Sequence, residues 1–146
     1  VEGTDLDRKT IPYVNYLELG PPARLVANEC TNCGARFVDR RNACAACSAT
    51  EFRRSPLPDV GELVSFTVVH VAAPGLEVPY VAAVVDCGGT WVRTNLVDAG
   101  FDPTQIELRA PVRLVTFPVG TDDQGTTAIG FGFAPYKTDG VANEQR

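Results

Sequence analysis

Four cysteines, set as Cys30-Thr31-Asn32-Cys33 and Cys44-Ala45-Ala46-Cys47 across a ten-residue link, constrain this chain more than any other feature. A Cys-x-x-Cys hook turns two sulfurs toward one point, and two hooks complete the tetrahedral shell of a closed structural zinc site, with no position left for water. The link is shorter than the ~15–20 residues usual between hooks, so a compact ribbon with a short hairpin is expected. Gly34, directly after the first hook, suits the positive φ often needed there. Ser48 stands at the equivalent place in the second hook, which makes that hook the less ideal one.

Other chemistries use the same residues. A thioredoxin-like redox pair needs one Cys-x-x-Cys beside a βαβ pattern, and none surrounds these two hooks. A rubredoxin-like iron site employs the same four thiolates, and the sequence separates it poorly from zinc. Two disulfides are disfavoured, because no secretory signal is in view. Four hook cysteines and one spare, Cys87, fit a reducing cytosol, so the expected localisation is cytoplasmic. The chain opens on Val1 and contains no methionine, as a processed or incomplete product would.

Size allows one ordinary domain, or a small metal-stapled module plus a small barrel, and the second arrangement is expected. Hydrophobic residues make up 45% of the 146, yet no run approaches the ~20 apolar residues of a membrane-spanning helix, so no membrane role is expected. A net charge of −5 opposes a phosphate-tracking surface over the whole molecule. The region 24–54 departs from this balance: Arg24, Arg36, Arg40, Arg41, Arg53 and Arg54 face only Glu29, Asp39 and Glu51. A divalent ion with four thiolates is itself anionic, which these arginines partly neutralise. Some of them also suit cofactor phosphates or acidic groups of a partner.

Along the chain, 1–10 reads as a flexible polar arm. In 11–19, Tyr13, Tyr16, Leu17 and Leu19 fall near helical spacing and Gly20-Pro21-Pro22 stops the element, so a short helix or turn is expected, its aromatics used for packing. A strand at 25–27 leads into the ribbon, which completes a module spanning 11–58. Pro56-Leu57-Pro58 marks a boundary. Beyond it the pattern is β. The first strand, 62–72, alternates Val64, Phe66 and Val68 with Ser65 and Thr67. The second, 79–87, is nearly continuous in Val and Ala, which suggests burial on both faces. Gly88-Gly89 makes a tight hairpin into a third strand, 90–97, with Trp91, Arg93 and Asn95 opposite Val92, Thr94 and Leu96. Asp102-Pro103 starts a loop or helical turn. Two further strands, 111–119 and 126–133, follow, and 135–146 reads as a flexible tail. The fold class is therefore mainly β: a short helix and zinc ribbon, then a five-stranded OB-fold barrel over 59–134.

A ribbon followed by Gly-Glu-Leu-Val-Ser-Phe-Thr-Val-Val-His at 61–70, Pro-Tyr-Val-Ala at 79–82 and Pro-Val-Arg-Leu-Val at 111–115 resembles an acyl-CoA-associated family. Its members join an N-terminal helix and rubredoxin-like zinc ribbon to an OB-fold. The likeness covers about residues 11–134. It implies an accessory subunit of a thiolase-superfamily enzyme, a thiolase or a lipid-transfer-protein-like steroid-CoA aldolase, in a hetero-oligomer built on a thiolase dimer. A MaoC-type hydratase is a further implied partner, acyl-CoA the implied ligand of the complex, and Zn²⁺ at Cys30, Cys33, Cys44 and Cys47 the implied structural metal. Ser48 departs from the glycine common in the family at that place, which bears on hook geometry more than on function.

The residues agree with an accessory role. No nucleophile elbow, Walker loop or dinucleotide fingerprint is present, and no catalytic residue is assigned. Cys87 lacks a neighbouring base in sequence and reads as a packed thiol. Candidate contacts to acyl-CoA or partner are His70, Tyr80 and Arg93. For His70 the alternative is a structural or surface role, and for Arg93 a solvated charge. The segment 70–80 is apolar for a loop and reads as a contact site, the alternative being a loop folded back on its own barrel. A single-stranded nucleic-acid module is the competing function. Only Arg93, Arg109 and Arg113 serve as cations in 61–134, which argues against it.

Overall fold

The structure, a computed structural model, describes residues 9–136. It contains ten strands and one 3₁₀ turn: β1 (Lys9–Pro12), β2 (Leu17–Glu18), β3 (Arg24–Cys30), β4 (Arg36–Phe37), β5 (Phe52–Pro56), β6 (Val60–Val69), β7 (Tyr80–Cys87), β8 (Thr90–Leu96), η1 (Pro103–Gln105), β9 (Pro111–Thr121) and β10 (Thr126–Pro135). Among the described residues the chain divides into two compact units, 9–56 with 116–131 and 57–115 with 132–136. Most of the expected arm and tail lies outside the described residues. Lys9 and Thr10 belong to β1, and Pro135 ends β10.

No helix forms over 11–19. Instead β1 pairs in parallel with β10, from Lys9↔Thr126 to Pro12↔Ile129, and the Tyr13 N–H donates to the Ile129 carbonyl at 2.8 Å. Leu17 and Glu18 then pair with Leu25 and Arg24 of β3. An isolated helix shorter than ~12–15 residues is marginal, and Pro12 biases Ile11 toward extended backbone, so available strand partners win. Tyr16 packs edge-on against Phe131, 5.8 Å between ring centroids, as a packing aromatic should, whereas Tyr13 is exposed.

In the first unit β3 is the central strand, paired antiparallel with β2, β4 and β5. Its Leu25, Val26 and Ala27 are buried, as is Leu17 of β2. The β3–β4 pairing is a short hairpin that turns through the first hook, and Arg36 and Phe37 of the ten-residue link form its second strand.

The remaining pairings close on themselves in the order β6–β7–β8–β10–β9–β6, a five-stranded barrel. Leu63, Val81, Ala83, Val85, Cys87, Val92, Leu96, Val112 and Phe133 fill its interior. Expected burial of β7 on both faces does not hold: the strand alternates strictly, with Val81, Ala83, Val85 and Cys87 inside. The outward residues are only half covered because same-face neighbours flank them, Thr67 and Asn95 beside Ala82, Ser65 and Arg93 beside Val84. A bulge between Leu63 and Ser65 also places Leu63 inside, a residue that simple alternation from Val64 overlooks. Gly88 and Gly89, at φ 63° and 97°, form the two-residue turn that joins Cys87 to Thr90. Asp102 caps η1 by accepting from the Thr104 N–H at 3.0 Å, and the Thr104 hydroxyl at 2.7 Å, with that N–H, holds its carboxyl below the usual range.

Closure makes Gly61 intolerant of a side chain. A Cβ on Gly61 would lie 2.6 Å from the Asp86 carbonyl oxygen and 2.7 Å from a Val85 methyl. Gly61→Ala is therefore expected to destabilise the barrel by about 1–3 kcal/mol in a denaturant titration, the usual cost of overpacking.

Candidate metal centre

The two hooks are built alike, and backbone hydrogen bonds show why. In the first, the Gly34 N–H donates to the Cys30 carbonyl at 2.9 Å, and the Cys30 N–H to the Ala35 carbonyl at 2.8 Å. The second repeats this with Ser48 to Cys44 at 2.8 Å and Cys44 to Ala49 at 2.7 Å. Amides also face the sulfurs: Asn32 N–H donates to Cys30 Sγ at 3.4 Å and Ala46 N–H to Cys44 Sγ at 3.3 Å. Gly34 and Ser48 both adopt left-handed backbone, φ 84° and 72°. Serine is the strained occupant there.

All four sulfurs lie within 4.8 Å of one another, with 3.6 Å between Cys30 and Cys47 and between Cys33 and Cys44. A disulfide needs ~2.05 Å, so these are four thiols rather than two bridges. A tetrahedral metal with ~2.3 Å bonds to sulfur has ligand edges of about 3.8 Å, near the two 3.6 Å separations. Cys30 and Cys44 are buried, Cys47 is half-buried and Cys33 is exposed. The cluster can hold a metal ion such as zinc.

Local donors treat the thiols unequally. The Asn32 side-chain amide, with help from the Ala49 N–H, holds Cys47 down to about 6. Cys33, despite the Ala35 N–H, is pushed up to about 12, chiefly by the neighbouring Cys44 thiol. Asn32 Nδ2 reaches Cys47 Sγ at 3.4 Å, from one hook to the other. The sequence reading missed this contact. The only signal was an amide side chain inside a hook, and nothing in the spacing says which sulfur it faces.

The arginines around the ribbon are largely engaged by its own carboxylates. Glu18 accepts from Arg24 at 3.0 Å and Arg54 at 3.5 Å, Glu29 from Arg53 at 3.0 Å, and Asp39 pairs with Arg41 at 3.2 Å. Arg41 also lies over the Phe37 ring, 4.2 Å from its centroid, and Asn28 Nδ2 donates to the Asp39 carbonyl. These contacts fasten the link between the hooks. Exposed pairs of this kind contribute roughly 0–1 kcal/mol each.

The three non-metal candidates do not converge. His70 is exposed just past the end of β6, and Tyr80 opens β7 opposite Val69, which puts the two at the same end of that strand pair. Arg93 pairs with Val84, four residues farther along β7, or about 13 Å at ~3.3 Å per residue. It lies on the outer face with Trp91, which is 63% exposed. The loop between β6 and β7 is not folded back: Val71, Leu76 and Val78 are exposed, Val71 at 88%. Cys87 is fully buried and its thiol is pushed up to about 12 by desolvation and by Asp86, so it is a packed thiol and not a poised nucleophile.

Replacing Cys30 or Cys47 with Ala should abolish metal binding and unfold the ribbon, since metal affinity in a small module is largely its folding free energy. Metal analysis and amide NMR of the mutants check this. Binding should also weaken as pH falls, because the loaded site holds fewer protons than the unloaded one and acid favours the state that binds more. Ser48→Gly, by relieving a left-handed residue, should raise the stability of the loaded chain by about 0.5–1 kcal/mol in thermal melts.

Comparison with known proteins covers both halves of the chain. Residues 55–117 match the family model described as ChsH2, C-terminal OB-fold domain. A DUF35 domain-containing scaffold protein of Methanocaldococcus jannaschii is 30% identical over 116 residues, 76% of this chain and 81% of that protein. A solved structure described as an Ltp2-ChsH2(DUF35) aldolase is 29% identical, covering 86% of this chain and 98% of that one with a TM-score of 0.60. With its four-cysteine ribbon and closed five-stranded barrel, the chain belongs to the DUF35 family, and its barrel is an OB-fold of the ChsH2 kind.

Proposed function

We propose that this chain is a non-catalytic accessory subunit of a thiolase-superfamily enzyme that makes or cleaves a carbon–carbon bond in an acyl-CoA thioester. The observation that carries the reading is the likeness, over nearly the full length of the matched chain, to the DUF35 component of an Ltp2-ChsH2 aldolase. A relative described as a scaffold protein supports it. In this role the metal is zinc and structural: four thiolates fill a tetrahedral shell, so the ion binds no substrate and activates no water. What zinc supplies is a cross-link between the hooks. The protein's own residues hold the ribbon in shape and present a docking surface.

Two features of the barrel unit suit partner contact. Val71, Leu76 and Val78 expose apolar side chains in the loop between β6 and β7, and an OB-fold commonly takes ligands on its rim loops. Tyr80 and His70 flank this loop and are the proposed contacts to the partner or its acyl-CoA. Arg93, beside exposed Trp91 and without an ion pair to any described residue, is the proposed contact for an anionic group.

Coexpressed with a thiolase-like protein of the same organism, the chain should copurify as a heteromer, and alone it should turn over no acyl-CoA. Failure to copurify with any such protein sinks the proposal. Leu76→Asp and Tyr80→Ala should weaken the heteromer or lower its acyl-CoA turnover roughly tenfold, the effect of losing ~1.4 kcal/mol at an interface, while metal content stays at the wild-type level. Unchanged assembly and kinetics in both variants would move the contact away from this loop.

A further inference from the structure

The two hooks obey the same backbone pattern, so their side chains can be compared position by position. Asn32 is the third residue of the first hook and Ala46 the third of the second; each donates its backbone N–H to the first cysteine of its own hook. Only Asn32 has a side chain able to donate again. Its Nδ2 reaches across to Cys47 Sγ at 3.4 Å, whereas Ala46 offers Cys33 nothing equivalent. The contact joins the two hooks directly, beyond the ten-residue link and the Thr31 N–H bond to the Glu51 carbonyl that follows the second hook. It also falls on the accessible side of the cluster, formed by exposed Cys33 and half-buried Cys47, where a chelator or competing ligand must begin.

We propose that Asn32 is a positioning residue of the metal centre: its amide clamps Cys47 across the hooks and slows metal release, leaving Cys33 as the ligand that detaches first. A hydrogen bond to a bound thiolate lowers the energy of its lone pairs, fixes the sulfur's direction and stabilises its charged form. Partners of this sort outside the ligand shell typically change metal affinity by about 10–100-fold. Because the donor serves Cys47 alone, loss of metal proceeds unevenly through the two hooks.

This inference rests on the metal reading above, and the experiment separates the two. The full chain, wild type and variants, is loaded with zinc, and release to the chromogenic chelator 4-(2-pyridylazo)resorcinol is timed. Parallel samples are loaded with cobalt(II) and their sulfur-to-metal charge-transfer band is recorded. Asn32→Ala, and Asn32→Asp, which keeps the shape but removes both N–H donors, should each release zinc about tenfold faster or more. Their cobalt band should move to lower energy, since an unbonded thiolate gives up electrons more readily. Ala46→Asn, which sets an amide in the mirror position before Cys33, should slow release relative to wild type and keeps the test decisive where an Asn32 variant folds poorly. A release rate and band unchanged in Asn32→Asp, or release no slower in Ala46→Asn, overturns the role of Asn32 while leaving the metal site intact. A wild-type chain that binds no metal overturns both.

Discussion

Ionised sulfurs crowded within 4.8 Å repel one another, and a cation at their centre converts that repulsion into cohesion. In the proposed zinc-bound state the ribbon depends on this conversion. Among the described residues 9–56, the buried side chains are Leu17, Leu25, Val26, Ala27, Cys30 and Cys44, so two of the six are themselves thiol ligands. A module this small buries little apolar surface, and a metal cross-link would take the place of the missing core. The surrounding polar contacts follow the same need. Strand β4, the Arg41 guanidinium on Phe37 and the Asn28 bond to Asp39 all hold the link that brings the second hook to the first.

The barrel is held by different means. Its closure gives every strand an inside and an outside, and the interior is apolar without a charged residue; Thr90 is the one buried polar residue among those described. Function is consequently left to the exterior and the loops, where exposed Trp91, Val71, Leu76 and Val78 contrast with that sealed interior. Of the ribbon's arginines, some of which suit phosphates by sequence, Arg24, Arg41, Arg53 and Arg54 are committed to Glu18, Glu29 and Asp39. Their role is chiefly to neutralise local charge, which turns attention from the ribbon surface to the barrel rim as the contact region.

Much of this was legible in the residues because it rests on short-range chemistry. Hook spacing names its ligands, Gly88-Gly89 names a two-residue turn by the positive φ both positions require, and the alternation from Thr90 to Leu96 names its two faces. Asp102-Pro103 likewise announced a helical start, realised as η1. In each case the causal groups lie within a few positions of one another along the chain.

Where the reading failed, the deciding partner was distant. The spacing of Tyr13, Tyr16 and Leu17 is compatible with a helix, but β10, more than a hundred residues on, offers β1 a parallel edge, and β3 pairs with β2. Continuous Val and Ala in β7 cannot say whether the second face meets a layer or only the flanks of its neighbours. The bulge at Leu63 and Ser65 is equally silent, as is the reach of Asn32 to Cys47. By itself the sequence determined the four clustered thiols, the turns and the existence of the β-strands, because local geometry and side-chain chemistry suffice for them. Tertiary structure alone decided which strands became partners, which face of each went inside and which donor met which sulfur, because those depend on groups brought together only when the chain has closed.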